Sequence, residues 1–148
     1  MIDRSEATRR ALAAKESAGL TFEKIAEAVG AHEVWTASAL LGQNTMTRDQ
    51  AARAGALLSL DEETVAALSR DASRGSLDAP VPTDPLIYRF YEIVQVYGTT
   101  LKGVIEEKFG SGIMSAIDFS MDIARREDPK GDRVVVTLDG KFLPYRTW

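Results

Sequence analysis

Apolar residues recur at helical spacing through the first half of the chain, and they alternate with polar ones only near its end. Ser5 is placed to cap a first helix carrying Ala7, Ala11, Leu12 and Lys15 and ended by Gly19. Thr21 opens a second, in which Phe22, Ile25, Ala26 and Val29 share one face before Gly30. A short apolar third covers residues 34–41. Thr47, with Gln50 three positions on, is a capping-box pattern for a fourth over residues 48–58. Asp61 caps a fifth, with Val65, Ala66 and Leu68 on one side. Five short helices in about 70 residues predict a compact all-helical module.

The pattern breaks at Ser73. Gly75, Pro80, Pro82 and Pro85 stop helices and favour extended backbone, so residues 73–85 read as a linker, dividing the chain into domains 1–76 and 77–148. The second half opens with Thr83 or Asp84 as cap and Pro85 at the first helical position, where a missing N–H costs nothing. That helix is expected to end near Tyr97 at Gly98, with another from Thr99 to Phe109 closed by Gly110. Residues 117–124 then alternate: Ile117, Phe119, Met121 and Ile123 against Asp118, Ser120 and Asp122. Residues 133–138 are rich in β-branched side chains, and Asp139-Gly140 reads as a hairpin turn into residues 141–145. A unit this small is unable to bury its sheet alone, so pairing between subunits is expected.

Composition narrows the chemistry. The 148 residues include no cysteine and one histidine, which excludes disulfides, thiolate nucleophiles, cysteine-ligated clusters and multi-histidine metal sites within one chain. Any catalysis must come from Arg, Lys, Ser, Thr, Tyr or carboxylates. No stretch is apolar enough for a membrane span, and the charged first ten residues do not resemble a signal peptide, so a soluble cytoplasmic protein is expected. The net charge of −4 is spread evenly, with 9 basic and 11 acidic residues in each half. Neither half is a basic nucleic-acid domain.

Residues 20–41 nevertheless have the layout of a helix-turn-helix, with Gly30 at the turn. A DNA-binding regulator, with the second half as oligomerisation platform, is the rival reading of the chain. Its would-be recognition helix, residues 31–41, contains no Arg or Lys, whereas attachment to DNA needs a basic footprint. His32, in the turn before that helix, reads as a surface or capping residue. Trp35, Met46, Met114 and Met121 sit in apolar patterns and read as packing.

Candidate chemistry gathers in residues 88–102. Phe90, Ile93, Val94 and Tyr97 share an apolar stripe on a helix, and Arg89 and Glu92 are three apart. Spacing alone describes a solvated ion pair. The crowd of Tyr88, Tyr91, Tyr97 and Phe90 around it also suits a partly desolvated site where an anion replaces water on the guanidinium.

Thr83-Asp84-Pro85, Tyr88-Arg89-Phe90-Tyr91-Glu92, residues 95–102 (QVYGTTLK), Glu107-Lys108-Phe109-Gly110, residues 112–117 (GIMSAI) and 137–144 (TLDGKFLP) together resemble the cyanase family, also called cyanate hydratase or cyanate lyase. The likeness covers nearly the whole chain, including residues 39–43 (ALLGQ). The resemblance implies an α+β fold with a helix-turn-helix-like, lambda-repressor-like N-terminal bundle. The C-terminal domain would be a small catalytic and dimerisation domain whose strands interlock between subunits, in a homodecamer built as a pentamer of dimers. It implies conversion of cyanate and bicarbonate to ammonia and carbon dioxide through carbamate, without metal or organic cofactor; the charge balance and the lack of an apolar span, taken separately, lead us to expect no nucleic-acid or membrane partner. The family's catalytic arginine falls on Arg89, its glutamate on Glu92 and its serine on Ser115. Ser111, where relatives commonly carry Asp, and the ending Tyr145-Arg146-Thr147-Trp148 depart from the family pattern.

Overall fold

The computed structural model describes every residue of the chain except Ser73 and Ser76. It divides into two compact units, Met1–Ser76 and Leu77–Trp148. The expected start of the linker at Ser73 and the expected boundary at Ser76 lie outside the described residues.

The first unit is five helices: α1 (Arg4–Ser17), α2 (Phe22–Val29), α3 (Glu33–Leu40), α4 (Arg48–Leu58) and α5 (Glu62–Leu68). Thr21 and Asp61 cap α2 and α5, and Gly30 ends α2 with a left-handed φ of 75°. The Thr47–Gln50 capping box of α4 is complete in both directions. His32 caps α3, its Nδ1 accepting from Val34 N at 3.2 Å. Two local expectations change. Asp3, not Ser5, caps α1: its carboxylate accepts from Glu6 N at 2.7 Å, and a carboxylate ahead of the first turn also suits the helix dipole. On α5 the buried positions are Thr64, Ala67 and Leu68, and Ala66 is exposed, because the core lies one position round the helix from the expected stripe.

These helices bury a core of Ala7, Ala11, Ile25, Val29, Leu40, Met46, Ala54, Leu58 and Leu68, with Trp35 packed at its edge. Arg4 locks its underside. Its guanidinium donates to the carbonyls of Ala39 (2.7 Å) and Asn44 (2.9 Å) and reaches that of Ala67 (3.5 Å), tying α1 to the carboxyl ends of α3 and α5. Burial, and to a smaller extent Arg70, lowers the Arg4 pKa, but the three carbonyls hold the charge in place. Arg4→Met is expected to destabilise this unit by about 2–3 kcal/mol, read by urea unfolding, because the carbonyls lose a charged donor in a place water enters poorly. A loss below about 0.5 kcal/mol would show those bonds to be replaceable by solvent.

The second unit is one helix and one hairpin. α6 (Pro85–Phe109) runs unbroken for 25 residues, about 37 Å, capped by Asp84, which accepts from Leu86 N and Ile87 N. The expected stop at Gly98 does not occur. Glycine in a helix interior costs roughly 1 kcal/mol against alanine, but ends the helix only where its φ turns positive, and Gly98 keeps a helical φ.

β1 (Gly112–Arg126) and β2 (Arg133–Pro144) pair antiparallel. The turn between them is not at Asp139-Gly140 but at Asp128-Pro129-Lys130-Gly131. There Asp128 Oδ1 accepts from Lys130 N at 2.8 Å, Gly131 N donates to the Asp128 carbonyl at 2.9 Å, and Gly131 takes the positive φ of 121°. Asp139 and Gly140 instead sit inside β2, opposite Ser120 and Phe119.

The ladder is interrupted once. Met114 pairs with Phe142 and Phe119 with Gly140, so residues 115–118 of β1 stand against Lys141 alone. This wide bulge re-phases the strand. Met114 and Phe119, five apart and thus on opposite faces of a regular strand, share the face of Phe142 and Gly140. The expected alternation therefore holds from Phe119 onward, whereas Ile117 lies in the bulge at 87% exposure.

The two units differ most in burial. Apart from Pro82 and Ser115, no described residue of the second unit is buried. α6 buries none of its side chains, and leaves Leu86, Phe90, Ile93, Val94, Tyr97 and Leu101 exposed. Among the described residues, no helix is long and apolar enough to cross a membrane.

Candidate active site

Arg89 and Glu92 stand one turn apart on α6, at the border of its apolar stripe. Asp84 and Pro85 fix where the helix starts, and the i,i+3 spacing then brings the two side chains together. Arg89 Nη1 donates to Glu92 Oε2 at 2.5 Å. The guanidinium also lies over the Tyr88 ring, 5.5 Å from its centre, and Tyr88 is 6.0 Å from Tyr91. Its side chain is 61% exposed and that of Glu92 46%. Held by Glu92 and Tyr88, the guanidinium still presents a planar set of unused N–H donors outward, the form that suits a carboxylate-shaped anion.

Ser115 opens the bulge of β1 and is only 6% exposed. Its Oγ accepts from Ile117 N at 3.1 Å and Asp118 N at 3.0 Å, which closes the bulge on itself. Those N–H groups are left without ladder partners by the bulge, and the serine oxygen satisfies them. With both lone pairs occupied, the hydroxyl hydrogen is directed elsewhere, and Ser115 is set as a hydrogen-bond donor.

Within one chain, then, Arg89 and Glu92 are joined, while the hydrogen bonds of Ser115 run to its own bulge. Among the described residues Ser115 bonds to neither of the other two. Gly140 was missed from the sequence as anything but a turn residue. The competing signal was present, since Asp128-Pro129-Lys130-Gly131 is the stronger turn and leaves Asp139-Gly140 to a strand. His32 caps a helix in the other unit, as expected for a lone turn histidine. Among the described residues no three histidine or carboxylate side chains gather as a metal site.

Comparison with known proteins accounts for both units. The family model for the cyanate hydratase N-terminal domain matches residues 4–70, and that for the cyanate lyase C-terminal domain matches residues 79–147. Cyanate hydratase of Parasynechococcus marenigrum is 55% identical over 95% of this chain and 96% of its own length. That of Dechloromonas aromatica is 53% identical over 99% of this chain and all of its own. The crystal structure of cyanase from T. urticae superposes with a TM-score of 0.84 at 41% identity, covering 93% of this chain and 96% of that one. With both units matched and the likeness running the full length of its relatives, the chain belongs to the cyanate lyase (cyanate hydratase) family, the carbon–nitrogen lyases that decompose cyanate.

Proposed function

We propose that this chain decomposes cyanate with bicarbonate as co-substrate, giving ammonia and carbon dioxide through carbamate, and that Arg89, Glu92 and Ser115 carry the reaction without a metal or organic cofactor. The observation that bears most weight is the state of Arg89: a guanidinium pinned by Glu92 and Tyr88, with its remaining donors open, on a helix whose apolar side chains Phe90, Ile93, Val94 and Tyr97 are exposed.

The chemistry asks for such a charge. Two monoanions about 4 Å apart repel by roughly 1 kcal/mol in bulk water and by several times that in a drier site. Arg89 offsets this with a positive charge held in place beside Glu92 and Tyr88. Glu92 acts as a positioning residue, fixing which donors of Arg89 face the anions. Ser115 donates to the oxygen that gains charge as the adduct forms.

Bicarbonate oxygen bonds to the cyanate carbon, the carbon–nitrogen π pair moves to nitrogen, and nitrogen takes the bicarbonate proton. The bond between the former bicarbonate carbon and the bridging oxygen then breaks, releasing carbon dioxide. Nitrogen takes one further proton from solvent as carbamate leaves, and carbamate with another proton falls to ammonia and a second carbon dioxide. No strong base is needed. Holding the two reactants in fixed geometry is worth on the order of 7–11 kcal/mol.

The exposed faces of α6 and the hairpin support assembly into a homodecamer, a pentamer of dimers with strands interlocked, sites forming where subunits meet and residues 77–148 serving as the catalytic and dimerisation domain. In that reading two copies of Arg89 converge, matching charge to two anions. Residues 1–76 serve as a lambda-repressor-like, helix-turn-helix-like bundle that aids packing, not DNA binding, since α3 has no Arg or Lys to meet phosphates. A cytoplasmic setting belongs to this reading, and a chain without cysteine is compatible with it.

The test is ammonia release from purified protein mixed with cyanate, with and without bicarbonate. Release is expected only with bicarbonate present, and carbon from labelled bicarbonate is expected in the carbon dioxide. Ammonia formed at the same rate after bicarbonate is stripped would contradict the mechanism.

A further inference from the structure

Gly140, the β2 residue paired with Phe119 just past the bulge, packs against the first peptide of the bulge, and the space there is too small for any side chain. A Cβ built on Gly140 falls far inside van der Waals contact of the Ser115 carbonyl oxygen, and 2.6 Å from Met114 Cγ. A methionine side chain can swing aside; a backbone carbonyl moves only if the bulge moves with it. The first peptide of the bulge thus rests directly on the backbone of β2, which holds the turn at Ser115, Ile117 and Asp118 in the shape that occupies both Ser115 lone pairs. From this we infer that Gly140 is a positioning residue for the reaction: its lack of a side chain seats the Ser115 bulge and so aims the Ser115 hydroxyl as a donor.

The inference rests on the role given to Ser115 above, and the two are separable by experiment. Four assembled full-length proteins are compared: wild type, Ser115→Ala, Gly140→Ala and the double variant. Kinetics with cyanate and bicarbonate and particle size by light scattering are measured for each. Ser115→Ala is expected to lower kcat about 100-fold with KM little changed, as for loss of one donor to a developing oxyanion. Its structural effect should be small, because Ile117 and Asp118 are exposed and water can take over their N–H groups. Gly140→Ala is expected to lower kcat by a similar factor with particle size unchanged. In the double variant kcat should match Ser115→Ala within about threefold, since a residue that works only through Ser115 has nothing left to disturb.

A residue needed merely for strand pairing would multiply its loss onto that of Ser115→Ala or change particle size, and either result overturns the inference. So does a Gly140→Ala protein with wild-type kcat. If Ser115→Ala itself is fully active, the site reading fails and the inference with it; if Ser115→Ala is impaired and Gly140→Ala is not, only the inference fails. Should Gly140→Ala not assemble, Met114→Ala combined with Gly140→Ala removes the side-chain clash and leaves the Ser115 carbonyl as the obstacle. A low kcat in that protein supports the inference. Wild-type kcat there, or failure of both to assemble, overturns it.

Discussion

Arg89→Lys is expected to lower kcat/KM by roughly 100-fold or more while leaving particle size unchanged. Net charge is preserved, so the loss isolates geometry. In the wild-type chain one guanidinium nitrogen is engaged by Glu92 and the plane is steadied over Tyr88, and the other N–H groups remain as a fixed fork. A lysine ammonium has three rotatable donors and no plane. Beside Glu92 it would turn toward that carboxylate, leaving at most a single point contact for an anion. Loss of one well-placed donor at a site of developing charge costs 10²–10³ in rate, and Lys forfeits a paired set. Activity within about threefold of wild type would remove Arg89 from the mechanism.

The second large effect is expected at the centre of the α6 stripe. Ile93→Asp should yield protein whose first unit is folded, by its helical circular dichroism, but which runs as a much smaller particle and has no measurable turnover. Ile93 is 48% exposed in the single chain, flanked by Phe90, Val94 and Tyr97 on a helix that buries none of its side chains. If copies of the chain cover that face, a carboxylate there is desolvated without a partner, at a penalty of several kcal/mol per copy. Each symmetric contact repeats the penalty. A fully assembled and active Ile93→Asp protein would show that α6 is not where copies meet, and an active small particle would show that the site is complete in fewer chains.

Local signals made the first unit readable: caps at Thr21, Thr47 with Gln50, and Asp61 are decided within four residues, and each one holds. The error at Ser5 arose because two capping residues compete within one turn and only the carboxylate of Asp3 precedes it. Gly98 was misread because a glycine letter is the same at a helix end and in a helix interior; what separates them is the sign of φ. Asp139-Gly140 was misread for a related reason. Its meaning comes from a residue 25 positions away, the Ser115 carbonyl resting on Gly140, and a bulge is a relation between two strands that neither strand states alone. The Arg89–Glu92 pair was visible as spacing. The candidacy of Ser115 came through family resemblance, since nothing in its neighbours marks a serine that spends both lone pairs on its own backbone.

The contrast in burial between the units bears on how the protein comes into being. Residues of the first unit find their core within one chain, a first-order event that proceeds at any dilution. α6 and the hairpin have no such core, so their final packing waits on encounters between chains and speeds up with the square of their concentration. A newly made chain would spend that interval with a 25-residue apolar-striped helix open to water, and rapid synthesis that raises the local number of copies both shortens the wait and raises the hazard of wrong partners.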